Sequence, residues 1–73
     1  MLIVSTPLKQ EEVRAALDGY NQDGVTIRFV RKMGIQLQFD VIGAEGYAAV
    51  DLAKAIIRSH PFGNALYFSA SWQ

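Results

Sequence analysis

A single histidine, His60, is the only imidazole available for acid–base or nucleophilic chemistry in this chain of 73 residues. It stands between Ser59 and Pro61, where a helix is predicted to end. There an imidazole interacts favourably with the carbonyl end of the helix dipole. Adjacency to Ser59 in sequence does not make a catalytic dyad. The carboxylates are no better placed. Glu11 and Glu12 are neighbours on an exposed helix and point in different directions, and Asp40 lies on a strand opposite Thr26. Neither arrangement is a buried pair of the kind that shares acid and base roles. The chain has no cysteine, so disulfides and thiolate zinc sites are excluded, and a metal site would have to be mostly carboxylate. One further feature could hold a ligand. The turn Gly43-Ala44-Glu45-Gly46 precedes a predicted helix, and such a turn can bind a small anion. It lacks the third glycine of G-x-G-x-x-G and the lysine of the phosphate-binding loop. The sequence therefore predicts no catalytic, metal or cofactor residues.

The elements that would position these residues are read from hydrophobic period. Residues 1–5 form a short apolar run suited to a central strand. Thr6-Pro7 reads as the start of a helix, with Thr6 as cap and Pro7 in the first turn. Leu8, Val13, Ala16, Leu17 and Tyr20 give that helix its apolar stripe. Gly19, Asn21, Asp23 and Gly24 end it and turn the chain. In residues 25–42 two alternating stretches follow. Val25, Ile27 and Phe29 alternate with Thr26 and Arg28, and Ile35, Leu37, Phe39 and Val41 alternate with Gln36, Gln38 and Asp40. Both apolar sets fall on odd numbers. A hairpin must then pair odd with odd, which excludes loops of even length; Lys32-Met33-Gly34 satisfies this, with Phe29 opposite Leu37 and Gly34 at positive φ. Residues 44–60 read as a second helix with Ala48, Ala49, Leu52, Ala53, Ile56 and Ile57 inward, ended by Pro61. Residues 65–72 read as a last strand. The predicted core is Ile27, Phe29, Leu37, Phe39, Leu52, Ile56, Leu66 and Phe68.

The order β-α-β-β-α-β in one small domain, residues 1–73, is that of an α+β ferredoxin-like sandwich. Right-handed crossovers predict an antiparallel sheet of order 4-1-3-2 with two helices on one face. The other face stays open. Arg28, Arg31, Lys32, Gln36, Gln38 and Tyr67 form a candidate binding face there. Strand 4 is an edge without charge, so Tyr67, Ser69 and Ser71 mark a candidate association edge.

Two resemblances test these surfaces. Gly43-Ala44-Glu45-Gly46 looks like the G-x-x-G loop of KH domains, which clamps a nucleic-acid backbone. Those domains put a helix before the loop, whereas residues 36–41 alternate as a strand, and Glu45 would repel phosphate. The topology resembles that of the RRM, which stacks bases on aromatics of its central strands. Here the outward positions of strand 3 are Gln36, Gln38 and Asp40. Seven basic and seven acidic residues cancel, which removes a strong drive toward nucleic acid or anionic membranes. The apolar start of the chain is too short for a signal peptide or a membrane span. The absence of cysteine suits a reducing compartment such as the cytoplasm. The sequence thus leads to a small non-enzymatic domain that binds a protein partner or itself as a homodimer. A nucleic-acid module using the open face and the Arg31-Lys32-Met33-Gly34 hairpin tip is the alternative. Small-ligand or anion binding at Gly43 to Gly46 is the third reading.

Overall fold

The alternating stretches pair into one antiparallel sheet, and the two amphipathic stretches coil into helices that share its core. The computed structural model describes residues 1–73. In chain order the elements are β1 (Leu2–Ser5), α1 (Gln10–Leu17), β2 (Asn21–Gln22), β3 (Val25–Met33), β4 (Gln36–Ile42), α2 (Gly46–Ser59), a 3₁₀ turn (Pro61–Asn64) and β5 (Ser69–Trp72). The strands lie in the order β2-β3-β4-β1-β5, and every neighbouring pair is antiparallel. The molecule is a small α+β domain with five strands and two helices. No helix is long and apolar enough to cross a membrane.

Four strands are expected from the pattern, and β2 is the fifth. It is a two-residue ribbon joined to β3 by Asp23-Gly24, both at positive φ (55° and 79°). That is the geometry of a type I′ turn, which Asp-Gly favours. Asn21 and Gln22 carry no apolar side chain, so hydrophobic period is silent there.

One cluster holds the core. Leu2 and Val4 of β1, Ile27 of β3, and Leu37 and Phe39 of β4 meet Val13 and Leu17 of α1 and Val50, Ala53, Ile56 and Ile57 of α2. Four of the eight predicted core residues, Ile27, Leu37, Phe39 and Ile56, are buried. The other four, Phe29, Leu52, Leu66 and Phe68, are half-buried and pack against the cluster. Phe29 meets Phe39 edge to face, with ring centroids 5.7 Å apart. The inward side of α2 is rotated from expectation, since Val50 is buried and Ala48 is exposed. All three apolar residues of β1 are buried. Leu2 and Val4 join the core, while Ile3 points to the opposite sheet face and is still only 3% exposed.

The hairpin register departs from expectation. Phe29 faces Phe39, not Leu37, and Ile27 faces Val41. A register shift between Phe29 and Arg31 leaves Val30 as the extra residue of a β-bulge. Beyond it Arg31 faces Gln38, Lys32 faces Leu37 and Met33 faces Gln36. The loop is therefore the even pair Gly34-Ile35, because the bulge changes parity. Gly34 does sit at positive φ (62°), as the first position of a type II′ turn requires.

Two boundaries also move. Thr6 does not cap a helix. It is fully buried, its N–H donates to Ile35 O (2.9 Å), and its hydroxyl donates to Leu8 O (2.6 Å). The helix starts at Gln10 after Lys9, which takes the left-handed conformation (φ 60°). At the other end, residues 65–68 follow the 3₁₀ turn without regular structure, and the last strand contains only Ser69–Trp72.

Candidate interaction site

The predicted binding face is only partly assembled. Arg28, Arg31, Gln36 and Gln38 share the sheet face turned away from the helices, as their strand registers require. Their polar groups are partly consumed by one another. Arg31 Nε donates to Gln38 Oε1 (2.9 Å), and Gln38 Nε2 donates to Met33 Sδ (3.4 Å). Gln38 is consequently 8% exposed despite lying on the uncovered face. Lys32 is not part of the set. The bulge turns it to the side of Leu37, which is the helix side. Tyr67 is not on the sheet at all. It is 90% exposed on the segment before β5, in a shallow site with Pro7 and Ile35 at the hairpin end of the molecule.

The glycine turn has a packing explanation. A Cβ on Gly43, which is at φ 94°, would lie 2.1 Å from the Gly24 carbonyl oxygen. Gly43 thus lets β4 pass close under the Asp23-Gly24 turn. The adjacent depression of about 370 Å³ is lined by Val41, Gly43, Ala44, Glu45 and Trp72 and offers a carboxylate but no basic side chain. The Glu45 carboxylate opposes an anion there, and no basic side chain offsets it. His60 is a helix-end residue, as expected. Its Nδ1 lies 2.9 Å from Ile56 O, and since a carbonyl only accepts, Nδ1 is the protonated nitrogen.

The two sheet edges differ sharply. On the β3 side, α1 runs into a turn that takes up the outward backbone groups. Gly19 N–H donates to Ile27 O (2.9 Å), and Ile27 N–H donates to Tyr20 O (3.0 Å). Phe29 N–H donates to Asp18 Oδ1 (2.9 Å). β2 pairs with Val25 and Thr26. A bulge and the charges of Arg28, Arg31 and Lys32 complete the protection. These are devices that block strand addition.

β5 has none of them. Gln73 N–H donates to Met1 O (2.8 Å) and Met1 N donates to Gln73 O, which makes Met1 and Gln73 a hydrogen-bonded pair. Antiparallel ladders alternate, so the next such pairs are Ile3 with Ser71 and Ser5 with Ser69. The N–H and C=O groups of Ala70 and Trp72 therefore point out of the sheet, and nothing in the fold receives them. No residue from 66 to 72 is charged. Of the residues predicted to mark an association edge, Ser69 and Ser71 lie on β5, and Tyr67 lies just outside the strand.

A groove of about 570 Å³ runs beside this edge. Its strand wall is Ala70 and Trp72, and its helix wall is Tyr47, Val50, Asp51 and Lys54 of α2. Tyr47 is 88% exposed. Asp51 and Lys54 are one turn apart but form no ion pair, since the sole one in the molecule is Lys9 with Glu12 (3.6 Å). The groove was missed in the sequence because its walls are distant along the chain. The one signal was that Tyr47 falls off the inward stripe of α2. No protein-family model, curated protein or solved structure matches this chain.

Proposed function

We propose that this chain is a non-enzymatic interaction domain that joins an extended strand of a polypeptide to its β5 edge. The observation that carries the reading is the asymmetry of the sheet. One edge is closed by five residues of the chain's own turn and ribbon, and the other presents the backbone groups of Ala70 and Trp72 on a strand that carries no charged residue. Strand addition uses such groups for affinity and an adjoining groove for selectivity. The reading includes a ferredoxin-like sandwich. With the two-residue β2 set aside, the other four strands stand in the order last, first, third, second, and both helices pack into one cluster. On the lack of cysteine it also includes a reducing, cytoplasmic setting. A nucleic-acid role ranks lower, because Arg31 is held by Gln38 through its Nε and Lys32 is turned away.

The test is a titration of isotope-labelled chain with an uncharged strand peptide copying residues 66–73. Amide shifts confined to Ala70, Ser71, Trp72 and the α2 wall, abolished by the double variant Ser69→Lys, Ser71→Lys, support the reading. No shifts at millimolar peptide, or shifts on the Arg28 and Gln38 face instead, would overturn it.

A further inference from the structure

The natural strand for this edge is a second copy of the same edge. We propose that two chains pair β5 to β5 about a two-fold axis through Ser71, making one continuous sheet. This rests on the strand-addition reading and names its partner.

The backbone sets the register. Two antiparallel β5 strands can meet only where outward groups face outward groups. With Ser71 opposite the partner's Ser71, Ala70 faces the partner's Trp72, and Trp72 faces the partner's Ala70. Both are hydrogen-bonded pairs, so every outward N–H and C=O of Ala70 and Trp72 is satisfied on both chains. No other register does this within Ser69–Trp72. The side chains agree with it. Trp72 and Ala70 lie on the helix side, so a large residue meets a small one twice. Ser71 and Ser69 lie on the uncovered face and add no bulk.

The helix walls supply complementary charge. Tyr47, Val50, Asp51 and Lys54 line the groove across from Ala70 and Trp72. Trp72 shares the adjacent depression with Ala44 and Glu45 at the start of α2, and Arg58 near its end sits over the Phe68 ring (5.5 Å). The helix therefore runs antiparallel to β5. Advancing about three strand residues from Phe68 to Ser71 covers roughly 10 Å, or about seven helix residues from Arg58. That brings Asp51 level with the axis and Lys54 one turn away. Pairing then gathers Asp51 and Lys54 of both chains into one group of four charges, with the two Asp51 carboxylates at the axis and a Lys54 ammonium on either side of them. Asp51 and Lys54 have no partner within their own chain, and the two-fold operation gives each one. A foreign strand without its own helix would leave both unpaired. This is what selects a second copy as the occupant.

The contact is short, so the dissociation constant should be on the order of 10–100 µM. Sedimentation velocity across that range reads it. Asp51→Lys puts four positive charges at the axis and Lys54→Asp puts four negative ones, so each variant alone should be weakened about tenfold or more. An equimolar mixture of the two should regain dimer, because each complex then holds two positive and two negative charges. Ser71→Cys gives a second readout in a chain with no other cysteine. The facing Cα atoms of a non-hydrogen-bonded pair lie about 4.5 Å apart, within disulfide reach. With diamide as oxidant, Ser71→Cys should form covalent dimer. Ser69→Cys should not, since its two copies lie roughly 13 Å apart.

Recovery of dimer in the mixture, together with selective cross-linking at 71, supports the proposal. Equal cross-linking at 69 and 71, or a dimer indifferent to both charge reversals, overturns it. A chain that stays monomeric at several hundred micromolar also overturns it. If that monomer still shows peptide shifts at Ala70 and Trp72, the strand-addition reading survives and only the choice of partner falls.

Discussion

The β3 and β5 edges belong to one sheet but have been treated differently by the sequence. Each strand is amphipathic, and each has a helix above it. The β3 edge follows α1 directly, and the residues that leave the helix, Asp18, Gly19 and Tyr20, fold down and occupy its outward hydrogen-bonding groups. The β5 edge has no such neighbour, because the segment that leads into it spends residues 61–64 in a 3₁₀ turn and arrives from α2 on the far side. Protection of an edge is thus a property of what the connection leaves behind as well as of the strand's own residues. An edge that is neither charged, bulged nor covered is available for pairing. Substitutions in the shared frame and at each edge test this contrast.

Phe39 is the test of the frame that both edges share. It is fully buried at the centre of β4, between Leu2 on β1 and Phe29 on β3. Phe39→Ala should cost about 3–5 kcal/mol by lost burial and the cavity it leaves. A domain this small has little more than that to lose. Chemical denaturation should show the whole sheet destabilised in one step. A loss confined to the β3 side would mean that the edges are held by separate cores.

Gly43→Ala acts on the protected side. The new Cβ would meet the Gly24 carbonyl at 2.1 Å, on a backbone at φ 94°. Relief requires the Asp23-Gly24 turn to lift, with β2 behind it. The expected cost is about 2–4 kcal/mol from strain and overpacking. Amide exchange should quicken at Ile27, whose N–H is bound to Tyr20, more than at Leu37 in the sheet centre. Uniform quickening would show that the ribbon is not a separate guard.

What could be read from the residues follows the same division. The alternation in residues 25–42 located β3 and β4, because each buries one face. Helix α2 was legible from its apolar stripe and from Pro61. The bulge at Val30 was not, since an extra residue changes register without changing composition, and Val30 looks like any strand valine. It is the reason Lys32 lies off the proposed face, while Arg31 lies on it opposite Gln38. The ribbon β2 left only the Asp23-Gly24 turn as a trace. Lys9 in the left-handed region is illegible where glycine would have been a signal, so the start of α1 was placed too early. The uncharged run before Trp72 was plain to see. That it forms the bare edge depends on strand order. That it adjoins a groove with unpaired Asp51 and Lys54 depends on packing across the chain.

Asp18 offers a direct conversion of one edge toward the other. Its Oδ1 is the acceptor for Phe29 N–H. Asp18→Ala removes that acceptor and a negative charge, and should cost about 1 kcal/mol because water can reach the site. Asp18→Asn keeps an acceptor oxygen and should cost less. The sharper readout is association. With the guard removed, the Ala variant should gain a concentration-dependent mass that Ser69→Lys and Ser71→Lys no longer suppress. If its association is still fully suppressed by those lysines, the charges and bulge of β3 protect that edge without Asp18.

The smallest expected effect compares the arginines that each helix lays on its edge. Arg14 of α1 sits 4.1 Å from the Phe29 ring centroid, and Arg58 of α2 sits 5.5 Å from that of Phe68. Both are cation–π contacts, and their strength falls with distance and with solvation. Exposed contacts contribute about 0.5–1 kcal/mol. Methionine keeps most of the stem and removes the charge, so Arg14→Met and Arg58→Met isolate the ring interaction from packing. Arg14→Met should lie near the upper end of that range and Arg58→Met near or below the lower end. Arg14 clamps the strand whose outward groups are already occupied, and Arg58 holds the looser segment that feeds β5. Denaturation midpoints of the two variants, measured on dilute monomer, decide the matter. Equal losses would mean that the two edges are anchored alike and differ only in their hydrogen bonds.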